Sequence, residues 1–171
     1  MLAFGLSVTV AAGVRLVHAD GACNAFTWDE RHERALFGKD PQSLTAAQAV
    51  SGSPTLGADR LYQLRLQGQS EVTFLQPPGK KLGGGGAYAG LARLRVDISG
   101  VYRIALDQPV WVDVLVNGTV VPAKDFQGRP GCNAPHKIVE FVVPARAPIT
   151  LQFSGSSAPT VKVTVTHSPM T

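Results

Sequence analysis

The stretch GRPGCNAPHK, residues 128–137, puts Cys132 and His136 four residues apart in a loop rich in Pro and Gly. Three chemistries use that pairing. A thiolate beside an imidazole base is a nucleophile. A sulfur and a ring nitrogen are two zinc-type ligands. A cysteine alone is one end of a disulfide. The chain has two cysteines and four histidines in 171 residues, so the other end of a disulfide is Cys23. Asp125 precedes the same loop and joins His136 as a weak metal candidate. A second constellation is Arg103, Trp111 and Asp113. An aromatic surface for stacking with flanking polar groups is a sugar-binding platform or another small-ligand surface. The structural alternative is Trp111 buried under the N-terminal segment, with Arg103 and Asp113 as a cross-strand ion pair.

The remaining candidates are sparse. His32 falls on the apolar face of a short helical pattern and reads as a core histidine. His167 lies near the C-terminus and reads as solvated. Along a strand, His136 and Glu140 are about 13 Å apart and do not share one ion. No G-x-S-x-G elbow occurs. The GGGG run at 83–86 follows PPGKK, but the order of a phosphate loop is missing. Asn117-Gly118-Thr119 matches a glycosylation sequon, and a hairpin turn accounts for it equally well.

Compartment decides between the cysteine readings. Residues 2–14 are an apolar run too short to span a membrane. Val17-His18-Ala19 ends the run with a cleavage pattern. Residues 1–19 therefore read as a signal peptide, and the mature chain starts at Asp20 in the periplasm or outside the cell. No other segment reads as a membrane span. In an oxidising compartment an even pair of cysteines usually becomes a disulfide, which favours Cys23–Cys132. The net charge of +4 comes without a Lys/Arg block, so a nucleic-acid partner has no support.

The elements that must position these residues divide at about Leu61. Residues 20–60 read as a helix over about 28–37 followed by a strap. Thr27 and Glu30 form a capping box, Gly38 is the stop, and Trp28, His32, Ala35 and Leu36 share a face. From Leu61 to Thr171 the apolar period is two. The runs LYQLRLQ, EVTFLQ, LARLRVDI, VYRIALD, VWVDVLVNG, TVVPA, KIVEFVVPA, ITLQFSG and TVKVTVTH alternate with turn residues. That spacing predicts an all-β, antiparallel sandwich forming one domain with the strap. Asn117-Gly118 is a two-residue turn. With Asp107-Gln108-Pro109 as another turn, Leu106 faces Val110, Ile104 faces Val112 and Arg103 faces Asp113. Tyr102, Ile104, Leu106, Val110, Val112, Val114 and Val116 then form a core face.

At GVYRIALDQPVWVDVLVNG, GRPGCNAPHKIVEF and CNAFTWDERHERALF the chain resembles a group of short exported proteobacterial proteins of unknown activity. Some of that group carry the label homogentisate 1,2-dioxygenase. That resemblance implies a cupin-type iron enzyme, whose site needs two His and one Glu around the metal. The hairpin running from Trp111 and Asp113 to Asn117-Gly118 is also similar to jelly-roll accessory modules, such as carbohydrate-binding and pre-peptidase C-terminal domains. That likeness implies a jelly-roll-like sandwich with a binding role. The expectation is an exported, non-catalytic binding or accessory protein of the bacterial envelope with no cofactor. Its partner is a small molecule, a glycan or another envelope protein. The alternative is a metal-dependent enzyme or metal-binding protein.

Overall fold

The computed structural model describes Cys23 and residues 26–80 and 87–168. The apolar N-terminal run, its cleavage site and the GGGG run lie outside the described residues. The described chain is an all-β sandwich with one helix, α1 (Arg31–Phe37), laid on it. The first sheet has the order β1-β3-β12-β6-β10-β9 and the second β2-β5-β11-β7-β8. In chain order the strands are β1 (Gln42–Thr45), β2 (Thr55–Leu56), β3 (Leu61–Arg65), β4 (Gln67–Gly68), β5 (Tyr88–Leu94) and β6 (Gly100–Leu106). Then come β7 (Trp111–Val116), β8 (Thr119–Val121), β9 (Asp125–Gly128), β10 (Lys137–Val143), β11 (Ile149–Ser156) and β12 (Thr160–Ser168). The short β4 pairs with β5 beside that path.

Strands β3, β5, β6, β7, β8, β10, β11 and β12, counted first to eighth, fall in a defined pattern. One sheet reads first, eighth, third, sixth, and the other second, seventh, fourth, fifth. This is the order of a jelly roll, two Greek keys folded face to face. The chain alternates between sheets at most connections because each strand carries one apolar face and both sheets must bury theirs against each other. Leu64, Ile104, Leu106, Val114, Leu151, Phe153 and Val163 meet in that shared core, all essentially without exposure.

One sequence expectation fails here in an informative way. Strands β6 and β7 do not form a hairpin. β6 pairs with β10 and β12, and β7 pairs with β11 and β8. Residues 107–110 instead carry the chain across the core from one sheet to the other. Arg103 and Asp113 therefore never face each other. The core face survives the error: Tyr102, Ile104, Leu106, Val110, Val112 and Val114 all lie in the core, with Val116 packed against it. Period two fixes which face is apolar, and folding across the core keeps that face inward as a hairpin would.

The Asn117-Gly118 turn is present, joining β7 to β8 with Val116 opposite Thr119. Both residues have positive φ, 50° and 78°, as this tight turn requires. The expected strand at 71–76 is absent. Gln69–Glu71 is a 3₁₀ turn, and Pro77-Pro78 has no N–H groups to extend a ladder. Val72, Phe74 and Leu75 cover Ala89 and Leu91 on the outer face of the second sheet. The strap is also more regular than expected. β1 lies parallel to β3 and β2 parallel to β5, so the segment edges both sheets.

The N-terminal segment corrects the helix reading. Thr27 does not cap α1. Its N–H donates to Gln127 Oε1 (2.8 Å) and its hydroxyl accepts from Gln127 Nε2 (2.5 Å). The Gln127 amide offers donor and acceptor together, as a capping box would. Glu30 takes the cap position, and Arg34 engages its carboxylate at 2.7 Å. The buried helix residue is Glu33, while His32 is exposed and paired with Asp59 at 2.7 Å. Phe26 supplies the apolar anchor, packing on Ala105 and Ile138 with Trp28 and Phe37 around it.

Cys23 and Cys132 form a disulfide, with 5.4 Å between their Cα atoms and a sequence separation of 109. It fastens the start of the strap to the loop before β10. Closing so long a loop is worth roughly 2–5 kcal/mol. Cys23→Ser and Cys132→Ser should each lose that amount in denaturant unfolding, and the double variant should lose no more than either. Additive losses would show that the two sulfurs stabilise the fold separately.

Candidate functional site

The two sheets part at one edge. There β8 closes the second sheet and β9 the first, and residues 122–124 cross between them. A cleft of about 780 Å³ opens at that edge. Its walls are Val110 of the crossover and inward-facing residues of β7, β8 and β10, chiefly Val112, Val121, Val139 and Phe141. Phe126 sits at the edge with 69% of its surface exposed. It lies opposite Val139 across the β9–β10 ladder, so it is on the core side of the sheet. Nothing from β8, only three residues long, covers it among the described residues.

The far end of the cleft is polar. Lys137 starts β10 and has the inward parity of Val139 and Phe141. Its Nζ lies 5.7 Å from the centre of the Trp111 ring, a cation–π distance. Lys80 and His136 line the same end. Among the described residues no carboxylate lies within 4 Å of the Lys137 ammonium. Burial, helped by repulsion from Lys80 and opposed by Asp113, lowers the Lys137 pKa to about 8. Ser154 also lines the cleft, and its buried hydroxyl has no hydrogen-bond partner among the described residues.

Asp113 is a buried wall group whose two oxygens are committed. Oδ1 accepts from Trp111 Nε1 at 2.8 Å, and Oδ2 accepts from the Gly79 N–H at 3.1 Å. A Cβ on Gly79 would stand 2.8 Å from Asp113 Oδ1, so only glycine lets the loop come this close. Gln152 holds the preceding turn, accepting from the Leu75 N–H and donating to the Gln76 carbonyl. These contacts fix the Trp111 ring and bring Lys80 beside it.

Arg103 belongs to a different surface. It lies on the outer face of the first sheet, under the N-terminal segment. Its Nε donates to Glu140 (3.0 Å), Nη1 donates to the Asp29 carbonyl (2.8 Å), and Glu33 stands 3.7 Å away. The Trp28 ring covers its guanidinium at 5.0 Å. Lys124 completes Glu140 at 3.1 Å, and these two cations hold the Glu140 carboxyl below its ordinary range against the opposing effect of burial. So the sequence grouping of Arg103, Trp111 and Asp113 comes apart. The strap covers Arg103, and Trp111 is left half-buried at the cleft.

The loop that opened the question is structural. Cys132 is in the disulfide, and its carbonyl accepts from His136 Nδ1 at 3.1 Å. The His136 N–H bonds Leu106 and its carbonyl receives the Arg129 N–H. His136 is thereby fixed as a cleft-lining ring. Asp125 is exposed and caps its neighbour's N–H. Among the described residues no three His, Cys, Asp or Glu side chains converge on one point. His32 lies on α1, His136 before β10 and His167 against Tyr102 on β12. That distribution does not fit the two-His, one-Glu iron site of a cupin enzyme.

Lys137 is the site residue that the sequence reading missed, though its signal was present: a lysine at inward parity in KIVEFVV. The chain matches no protein-family model and no curated protein sequence. Its fold defines it as a jelly-roll sandwich, and the residues of its cleft carry the functional reading.

Two outcomes follow from the two buried cations. Arg103→Ala leaves Glu140 with Lys124 and Glu33 with the Thr166 hydroxyl, and unfolding free energy should drop by roughly 3 kcal/mol. Arg103→Lys should restore only part, since an ammonium does not span Glu140 and the Asp29 carbonyl together. For Lys137 the sign is opposite. Its native pKa is depressed, so between pH about 8 and 10.5 the unfolded chain binds the extra proton and stability rises with pH. Lys137→Met should be more stable than the parent by roughly 1–3 kcal/mol at pH 7. That gap should close as the pH rises through this window. A gap constant from pH 7 to 11 would place Lys137 in water.

Proposed function

We propose that the protein is an exported, non-catalytic jelly-roll module that binds a small organic ligand in the cleft between β8 and β9. The observation that carries this reading is an unfilled apolar edge with a few fixed polar groups at one end. A folded core closes such an edge unless something else covers it. Its size and mostly apolar lining are those of ligand sites. The catalytic readings draw no support from the residues around it: Cys132 is oxidised, His136 faces a carbonyl, and Asp113 is held by two donors. Export is supported by the disulfide. Among the described residues no helix is long and apolar enough to cross a membrane.

The test uses a neutral apolar dye, N-phenyl-1-naphthylamine, whose fluorescence rises in apolar sites. It should bind with saturation at one site per chain. Gly128→Leu is the matched variant. Gly128 lies opposite Lys137 on the inner side of β9, has no positive φ, and leaves 3.8 Å or more to any atom its Cβ would meet. The new side chain should fill the cleft and abolish dye binding while the thermal transition is kept. Binding unaffected by Gly128→Leu, or no saturable binding to the parent, would refute the cleft as the site.

A further inference from the structure

Resting on that reading, we infer that the ligand of the cleft is a single-chain anionic amphiphile, an aliphatic chain ending in a carboxylate or phosphate. The body of the cleft and its end make different demands. The walls are mainly aliphatic, built from Val110, Val112, Val121 and Val139, with Phe141 beside them, Phe126 at the edge and Trp111 at the polar end. An aliphatic lining gives an extended chain dispersion and burial with no hydrogen bond to satisfy. The length also suits a chain. From Glu140, beside the 122–124 crossover, to Lys137 is three residue steps, or about 10 Å.

The end of the cleft requires negative charge. Lys80 and Lys137 are close enough to repel, and the lower pKa of Lys137 reflects both that repulsion and its burial. The nearest carboxylate, Asp113, is bound to Trp111 Nε1 and the Gly79 N–H. Lys137 is the cation that burial disfavours, and the exposed Lys80 near it at the rim adds repulsion. An acid seated against Lys137 removes that penalty, because the half-buried ammonium gains a charge-assisted bond sheltered from water, and Lys80 adds attraction from the rim. His136 stands at the same end, with Nδ1 committed to the Cys132 carbonyl. A cationic amphiphile would add a third positive charge, and a neutral one would leave both lysines unanswered.

Displacement of N-phenyl-1-naphthylamine from the intact mature protein at pH 7 reads all of this. Hexanoate, octanoate and decanoate should displace it with affinity rising roughly four-fold per methylene. Decyl phosphate should bind as well as decanoate or better, and the ratio of the two identifies the head group. Decanol and decyltrimethylammonium should be at least about ten-fold weaker. Lys137→Met and Lys80→Gln should each weaken decanoate about ten-fold and leave decanol unchanged. Equal displacement by acid, alcohol and ammonium would overturn the anionic head while the cleft remains a site. Affinity independent of chain length, or phenylacetate surpassing octanoate, would overturn the chain. Binding only to anionic vesicles, with no displacement by free decanoate, would make the lysines a membrane-surface patch and overturn the proposal. Failure of the dye itself to bind would instead fall on the parent reading.

Discussion

Arg103 holds the covering segment, residues 26–37, to the sandwich. A β-sheet in a sandwich has two faces, and only the inner one meets the other sheet. The outer face of the first sheet carries Arg103, Glu140, Thr164 and Thr166, a polar strip that α1 and residues 26–29 cover. Covering a charge removes it from water, which is tolerable only when its partners come with it. The covering segment brings the Glu33 carboxylate, the Asp29 carbonyl and the Trp28 ring. Thr166 donates to Glu33 at 2.5 Å. The helix is therefore amphipathic in an unusual sense. It buries an acid and exposes His32 and Ala35, because the surface beneath it is charged.

The disulfide and this ion network act on the same segment from two ends. Cys23–Cys132 limits where the segment starts, and Phe26 on Ala105 and Ile138 sets its height above the sheet. Arg103 then fixes its register along β6. Because Cys132 also ends the loop that carries His136 into the cleft, the strap and the cleft are mechanically joined. The order of causes runs from the crosslink to the loop and from the loop to the position of one cleft-lining ring.

Much of the architecture was legible because apolar alternation survives mistakes about pairing. The strands around Leu61, Val101, Val112, Ile138, Leu151 and Val163 were all readable from period two, as was the Asn117-Gly118 turn. What alternation does not encode is which strand lies beside which. Leu106 and Val110 face the same core whether the chain turns within a sheet or crosses between sheets, so a hairpin and a crossover give the same pattern. The choice rests on long-range pairing of β6 with β10 and β12, which leaves no local mark. The same ambiguity broke the site reading. Arg103 and Asp113 have compatible charges and compatible spacing, but they sit on outer faces of opposite sheets. Thr27 and Glu30 failed for a related reason: the local capping signal was sound, and Gln127, 100 residues away, offered Thr27 the same two bonds.

Lys137 and Arg103 show how differently this fold treats two largely covered cations. Both are mostly buried cations on strands of the first sheet, one facing in and one facing out. Arg103 meets two carboxylates, a carbonyl and an aromatic ring, and little of its bonding capacity is left over. Lys137 meets one ring and the repulsion of a second lysine. The protein has the means to neutralise Lys137, since Glu140 lies three residues along the same strand, but Glu140 points outward to Arg103 and Lys124. Alternation forces that split: residues three apart on a strand face opposite sides. Among the described residues the inward cation meets the Trp111 ring and no carboxylate, at an edge where the core is open. A stable empty protein would place an apolar residue there. On the proposed reading, the charge that answers Lys137 is the head group of the cleft ligand.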